Sequence, residues 1–218
     1  LFRGFSAPVK SAYGYKKEDL LRVIVYETDG FSRYDAMLQL GVVAVFDLMA
    51  QLRKQAAADA TSQTDSALKM EPLLFDAYDY LLSNGELDGS MVAMMCTLPS
   101  EAYMSGLAEP VDVDLLHTAR EMLQDRLATH FRNRWLAIYE GNWSKDEYSF
   151  DSASVAKRSL KKTALDYLMA APDAEALDIC RRQYAEADKM TDQAAALQCL
   201  VSAMGDFPEP AQQAIEDF

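Results

Sequence analysis

Apolar side chains recur every three or four residues from Lys16 to the final phenylalanine, which is the spacing of amphipathic α-helices. Glycine, proline and capping residues interrupt this spacing and divide it into about nine helices with mostly short connections. The clearest single helix is predicted from Asp112 to Glu140. Because short connections make successive helices antiparallel neighbours, the pattern predicts an all-α fold. We expect layered antiparallel helix pairs that form a superhelical array, although no fixed sequence repeat accompanies them.

One predicted helix is apolar on nearly every side. Ser32 is its candidate N-cap, and apolar residues follow from Tyr34 to Leu52. A helix of this kind is expected to lie centrally, packed on both sides. The polar stretch from Gln55 to Ser66 is predicted to be a surface loop, and Thr191 is predicted to cap a later helix.

The first residues follow a different pattern. Phe2, Phe5 and Val9 are apolar, while Gly4 and Pro8 discourage a helix, so this stretch is predicted to be extended. A strand needs a partner for its backbone hydrogen bonds, and no second strand is evident in the sequence. We therefore expect its partners to lie in residues upstream of this chain.

Net charge, hydropathy and cysteine content limit the partners and the location that the sequence predicts. The formal net charge is −13, with 34 acidic and 21 basic residues, so nucleic acid and anionic membrane surfaces are disfavoured as partners. The most apolar run, residues 36–50, contains Gln39 and Asp47 and is shorter than the roughly 20 residues that span a bilayer. The three cysteines form no CxxC pair, which favours a reducing, cytoplasmic location.

Candidate chemical sites are few. His117 and His130 are thirteen positions apart and neither belongs to an HExxH motif, so a shared zinc ion is not predicted. The aspartate pairs Asp76/Asp79 and Asp112/Asp114 lack the further carboxylates of a magnesium cluster. Two other groups are predicted to be ordinary helix faces: a methionine cluster in the core (Met91, Met94, Met95) and a solvated basic run (Lys157, Arg158, Lys161, Lys162). No catalytic or metal-binding residue is predicted.

Four segments, at residues 1–9, 29–36, 156–160 and 187–197, together resemble aminopeptidase N, the zinc-dependent alanyl aminopeptidase family. Residues 1–9 (LFRGFSAPV) are similar to the segment that closes the family's β-sandwich domain and leads into its helical domain. Residues 29–36 (DGFSRYDA) resemble a DxFxRWxA helix start, with tyrosine where tryptophan is usual. Residues 156–160 (AKRSL) and 187–197 (ADKMTDQAAAL) resemble two further helix motifs. The resemblance spans nearly the whole chain.

The resemblance implies a piece of a larger protein. Residues 1–14 would be the terminal strand of the β-sandwich domain, and 15–218 a truncated helical domain that the family continues further. Both ends are expected to be cut, with an exposed apolar patch near Phe2, Phe5 and Phe218. The catalytic and β-sandwich domains of the same chain would be its partners. Five residues of the matching motifs are predicted to be structural: Ser32, Arg33, Asp35, Thr191 and Asp192.

The implied function belongs to the parent protein. That parent would use zinc to remove N-terminal residues from peptides, and the helical domain would enclose the active-site chamber and limit peptide access. The family's zinc ligands, general base and amine-binding motif have no counterpart in this sequence. The alternative is a freestanding helical interaction scaffold, which explains the helices equally well but leaves the opening strand without a partner. An independent helical enzyme is disfavoured because no ligand cluster is present.

Overall fold

The computed structural model describes residues 14–59, 68–144 and 147–217. These residues form eleven α-helices and no β-strand, which confirms the all-α fold class. The helices are α1 (Lys17–Tyr26), α2 (Gly30–Asp59), α3 (Pro72–Ser83), α4 (Gly89–Met95), α5 (Glu101–Ser105), α6 (Val113–His130), α7 (Arg132–Gly141), α8 (Ser152–Leu168), α9 (Ala174–Glu186), α10 (Met190–Ser202) and α11 (Pro208–Asp217). The strand predicted before Gly14 and the patch at Phe2, Phe5 and Phe218 lie outside the described residues.

Three helices begin at residues that suit a helix start. Pro72 lies in the first turn of α3, where its missing N–H costs no helical hydrogen bond. The Ser100 hydroxyl accepts from the backbone N–H of Tyr103 at the start of α5. The Asp151 carboxylate accepts from the N–H of Ser154 at the start of α8. Local side-chain chemistry therefore sets these helix starts.

Two predicted segments differ in the structure. The helix predicted from Asp112 to Glu140 is divided at Phe131, whose φ of −103° and ψ of 18° depart from helical values. The apolar spacing continues across this break because α6 and α7 both bury residues there, so periodicity could not reveal it. The first part of the loop predicted from Gln55 to Ser66 is helical, since α2 continues to Asp59 through alanines that favour a helix, and the rest of that prediction lies outside the described residues.

The described residues of Leu1–Gly85 and Leu98–Leu123 form one compact unit. Within it α1, α2 and α3 pack against one another, and α5 and residues 113–123 of α6 belong to the same unit. The unit buries apolar side chains from each of these helices: Leu20, Ile24, Leu40, Val45, Leu48, Leu74, Tyr78, Leu81, Met104, Leu116 and Leu123. Burial of these apolar side chains is the principal contribution to the stability of the unit.

Helix α2, which the sequence predicts to be packed on both sides, packs against α1 and α3 in this unit. Among the described residues it is also the one helix whose length and composition would suffice to cross a membrane, with a mean hydropathy of 1.4 over a window in Gly30–Ala57. The core helix of a soluble protein passes the same test, and 44% of that window is buried in the structure. The absence of membrane contact stays a prediction.

Glu86–Thr97 and the described residues of Gln124–Phe218 form a second unit. Helix α8 is its centre, because α4, α7, α9 and α10 all pack against it. The Trp135 ring stacks on Tyr167 with centroids 4.3 Å apart and planes 2° from parallel. The Tyr167 hydroxyl donates to the carbonyl of Cys96 at 2.7 Å, so this buried phenol is satisfied. All three cysteines are buried, and none forms a disulfide bond.

Candidate functional site

A buried ion pair links α8 and α10 in the second unit. The Lys161 ammonium lies 2.7 Å from a carboxylate oxygen of Asp192, and the side chains are 5% and 10% exposed. The two residues are 31 positions apart, and they lie in or beside two of the segments that resemble aminopeptidase N. Each buried charge needs a partner of this kind, because an unpaired charge in the low-dielectric interior of a protein is strongly destabilising.

Two neutral side chains extend the ion pair to α7 and α9. The Gln183 amide donates to the backbone carbonyl of Asp192 at 2.8 Å. The Tyr139 hydroxyl in turn donates to the Gln183 side-chain oxygen at 2.9 Å. Burial raises the pKa of Tyr139, so the hydroxyl remains a donor throughout the neutral range. We call Tyr139, Lys161, Gln183 and Asp192 the polar network; each of the four helices α7 to α10 contributes one of them.

Trp143, which follows α7, borders the polar network. The Lys161 ammonium lies 4.9 Å from the centre of the Trp143 ring, and the Arg182 guanidinium lies 5.7 Å from it. At these distances the ring face attracts both cations. The arrangement holds four helices in a fixed relationship, and its polar groups are engaged with one another rather than directed at a reacting molecule.

The basic run around Lys161 is therefore only partly a solvated face. Lys157 and Lys162 are exposed, as predicted, and Lys162 pairs with Asp166 one turn away at 2.7 Å. The prediction is wrong for Lys161, which is buried. It fails because the run gives no indication of Asp192, the distant carboxylate that makes burial of the lysine tolerable. The methionine cluster is also divided: Met95 is buried and Met94 is half exposed.

The predicted capping role of Thr191 is wrong. Helix α10 begins at Met190, and Lys189 occupies the N-cap position without a side-chain cap hydrogen bond. The Lys189 carbonyl accepts from the N–H groups of Asp192 and Gln193, so Thr191 lies inside the first turn. Asp192 also lies in that turn, where a carboxylate interacts favourably with the helix dipole.

Ser32 does not cap α2 either. The Asp29 carboxylate accepts from the Ser32 backbone N–H at 2.8 Å and from its hydroxyl at 2.7 Å. Aspartate is at least as good an N-cap as serine, and a carboxylate also suits the positive end of the helix dipole. The helix therefore begins at Gly30, and Ser32 lies in its first turn.

The other two residues predicted at this helix start have different partners. The Arg33 guanidinium donates to the backbone carbonyl of Glu27, the residue that follows α1. This bond joins the end of α1 to α2. Asp35 instead accepts from the Gln39 side chain at 2.7 Å, one turn along the same helix. The hydrogen bond of Asp35 is thus local to α2.

The described residues do not fit a zinc ion. Among them, no group of three or more histidine, cysteine, aspartate or glutamate side chains is placed to hold a metal. His117 contacts Glu101 and Glu121 through its two ring nitrogens, and His130 packs edge-on against Phe131. No catalytic step can therefore be assigned to these donors. That the chain itself carries no metal ligand stays a prediction.

An all-α array of packed helices is typical of the helical-repeat proteins. Residues 17–218 match the family described as "Domain of unknown function (DUF3458_C) ARM repeats", and the chain belongs to that family.

Named relatives extend the comparison. The chain is 30% identical over 213 residues to Aminopeptidase N of Escherichia coli (strain K12), covering 98% of this chain and 23% of that protein. It is 29% identical over 216 residues to Aminopeptidase N of Caulobacter vibrioides, covering 99% and 23%. The crystal structure of Legionella pneumophila aminopeptidase A in complex with aspartic acid superposes with a TM-score of 0.77 and 25% identity, over 100% of this chain and 24% of that one.

These comparisons confirm the resemblance to aminopeptidase N. The chain spans about a quarter of the length of these relatives, and the matched part lies in their C-terminal portion. Sequence reasoning identified Asp192 as structural but missed Gln183 and Tyr139. A glutamine within an otherwise apolar helix face was the available signal, because such a residue must find a buried hydrogen-bond partner.

Proposed function

We propose that this chain is a non-catalytic helical domain of a zinc-dependent aminopeptidase that removes N-terminal amino acids from peptides. The observation that carries the proposal is the alignment of nearly the whole chain with about a quarter of proteins named Aminopeptidase N. The remaining length of such a protein leaves room for a catalytic domain and a β-sandwich domain. Zinc would be held there, since the described residues of this chain do not fit it.

In this proposal the helical domain encloses the active-site chamber and limits the access of peptides. The polar network supports that role, because a wall must keep its helices in one arrangement while substrates pass. A cytoplasmic location is part of the proposal, and it agrees with three free cysteines buried as small apolar side chains.

The first experiment compares the purified chain with the complete product of the gene that encodes it. We expect the complete protein to bind zinc stoichiometrically and to cleave an alanyl anilide, and this chain alone to do neither. Zinc-dependent cleavage by the chain alone would contradict the proposal. A complete gene without an upstream HExxH motif would instead favour the freestanding scaffold.

Access control needs a separate test in the complete protein. Lys161→Met would loosen the helices that the polar network joins, and Lys162→Met is the matched control on the same helix. We expect Lys161→Met to raise the kcat/KM for a long unstructured peptide relative to that for an alanyl anilide, and Lys162→Met to leave the ratio unchanged. An unchanged ratio in both variants would contradict the role in peptide access.

A further inference from the structure

His117 joins two helices of the first unit through both nitrogens of its ring. Its Nδ1 lies 2.8 Å from a carboxylate oxygen of Glu101 on α5. Its Nε2 lies 3.3 Å from a carboxylate oxygen of Glu121, four residues further along α6. We propose that His117 is a proton-dependent latch that holds α5 against α6.

The two contacts together require the charged ring. A neutral imidazole has one N–H donor and one lone pair, whereas the imidazolium has two donors. In the neutral form one ring nitrogen would direct its lone pair at a carboxylate oxygen, and that contact would be repulsive. The latch is therefore closed when His117 is protonated.

The charged groups around the ring favour protonation. The hydrogen bond that His117 donates to Glu101, and then the charge of Glu121, raise the pKa of His117, while its slight burial and the nearby Arg120 oppose this. A raised folded-state pKa means that the stabilisation is complete below the unfolded value and is lost as the pH rises through the folded value. The latch thus opens with increasing pH, in the range where histidine charge responds to ordinary conditions.

Helix α5 is the element that such a latch can control. It has only five residues, too few for a helix to be stable without tertiary contacts. Its Met104 side chain is fully buried, whereas Tyr103 on the same helix is 45% exposed. The Arg120 guanidinium also donates to the Pro99 carbonyl at 2.9 Å, and this bond is insensitive to pH in the neutral range. Release of His117 therefore loosens α5 without freeing the whole segment.

Because His117 is 52% exposed, the expected effect is modest. An exposed ion pair of this kind should change the local opening equilibrium of α5 by about two- to fivefold. The measurement is amide hydrogen exchange of the Met104 and Leu107 N–H groups, which hydrogen-bond to the Ser100 and Met104 carbonyls. Exchange is recorded in the 218-residue chain on both sides of the His117 titration, followed by NMR, and is normalised for the intrinsic pH dependence.

We expect the protection of these amides to fall with the same midpoint as the His117 titration. His117→Gln and Glu101→Gln should abolish this pH dependence, since each removes the titrating ion pair between α5 and α6. His130→Gln, at the other histidine of α6, should leave it unchanged. The proposal would be overturned if His117→Gln lost amide protection with rising pH as the original chain does. It would also be overturned if His117 titrated without any change in the protection of the Met104 amide.

Discussion

Lys161 and Asp192 form an ion pair across 2.7 Å inside the second unit, and both side chains are almost completely buried. They bring together α8 and α10, the helices that carry the AKRSL and MTD motifs. The contact thus joins Asp192 of the MTD motif to Lys161, the residue that follows AKRSL. Gln183 and Tyr139 complete it with hydrogen bonds to α9 and α7.

Loss of the Tyr139 hydroxyl should destabilise the protein. In Tyr139→Phe the side-chain oxygen of Gln183 loses its recorded donor in a buried site, and the expected decrease in the free energy of unfolding is about 1–3 kcal/mol. Chemical denaturation measures it. Tyr26→Phe is the control, since Tyr26 is 80% exposed and its change should fall within about 0.5 kcal/mol. Equal stability of the two variants would show that the buried hydrogen bond contributes nothing.

Asp173 combines a helix cap with an ion pair. Its carboxylate accepts from the Ala176 N–H at 2.8 Å and lies 2.6 Å from the Arg132 guanidinium. Asp173→Ala should therefore lower the free energy of unfolding at neutral pH by about 1–2 kcal/mol. Asp178→Ala, the same change at an exposed position of α9, should cost less than about 0.5 kcal/mol.

The destabilisation caused by Asp173→Ala should also depend on pH. The hydrogen bond from Ala176 and then the Arg132 contact lower the pKa of Asp173 in the folded state. The stabilisation is therefore present above the unfolded-state pKa of about 3.9 and is lost as the pH falls through the folded value. Denaturation curves at neutral and strongly acidic pH give the free energy of unfolding of Asp173→Ala and of the original chain. The difference between the two should be smaller at strongly acidic pH than at neutral pH. A difference that stays constant would contradict the assigned interactions.

Gly41 marks a close approach between α2 and Pro99. A Cβ atom at this position would lie 2.9 Å from the Pro99 Cδ, and the proline ring cannot move aside by a rotamer change. Overpacking costs about 1–3 kcal/mol, and alanine recovers at most about 1 kcal/mol of helix propensity. Gly41→Ala should therefore lower the melting temperature. Gly141→Ala is the control: nothing lies within 4 Å of the new Cβ, so this change should be neutral or slightly stabilising. A melting temperature that is lower for Gly141→Ala than for Gly41→Ala would contradict the close approach at Gly41.

Arg33 tests the connection between the first two helices. Because its guanidinium donates to the Glu27 carbonyl, Arg33→Ala should lower the free energy of unfolding by about 2 kcal/mol. Arg22→Ala removes a guanidinium that is 74% exposed and should change it by less than about 0.5 kcal/mol. Thermal unfolding of both variants provides the comparison. If Arg33→Ala melts at the original temperature, the structural role of Arg33 is wrong.

The sequence predicts those features that depend on neighbouring residues. The caps Ser100 and Asp151 are features of this kind, because the cap and the capped N–H are three residues apart. The same reasoning failed at Ser32 and Thr191, where the helices begin three and two residues earlier than caps at these positions would place them. Cap residues of comparable strength compete at such positions, and local pattern does not decide between them.

Features that depend on distant residues could not be predicted in this way. Lys161 was assigned to a solvated face because its neighbours in sequence are basic, and its partner Asp192 is 31 residues away. The break at Phe131 was missed because the residue is buried on the same apolar face as those before and after it. Both outcomes depend on tertiary packing, which overrides local propensity.

The most direct measurement is a double-mutant cycle on the central ion pair, using Lys161→Met, Asp192→Asn and the double variant. Each single change leaves its former partner buried without a counter-charge, so each should cost about 3–5 kcal/mol, while the double variant should cost much less than their sum. The cycle Lys162→Met with Asp166→Asn is the exposed control, with an expected coupling of about 0.5 kcal/mol. Additivity at Lys161 and Asp192 within about 0.5 kcal/mol would contradict the claim that this contact fixes the arrangement of α8 and α10.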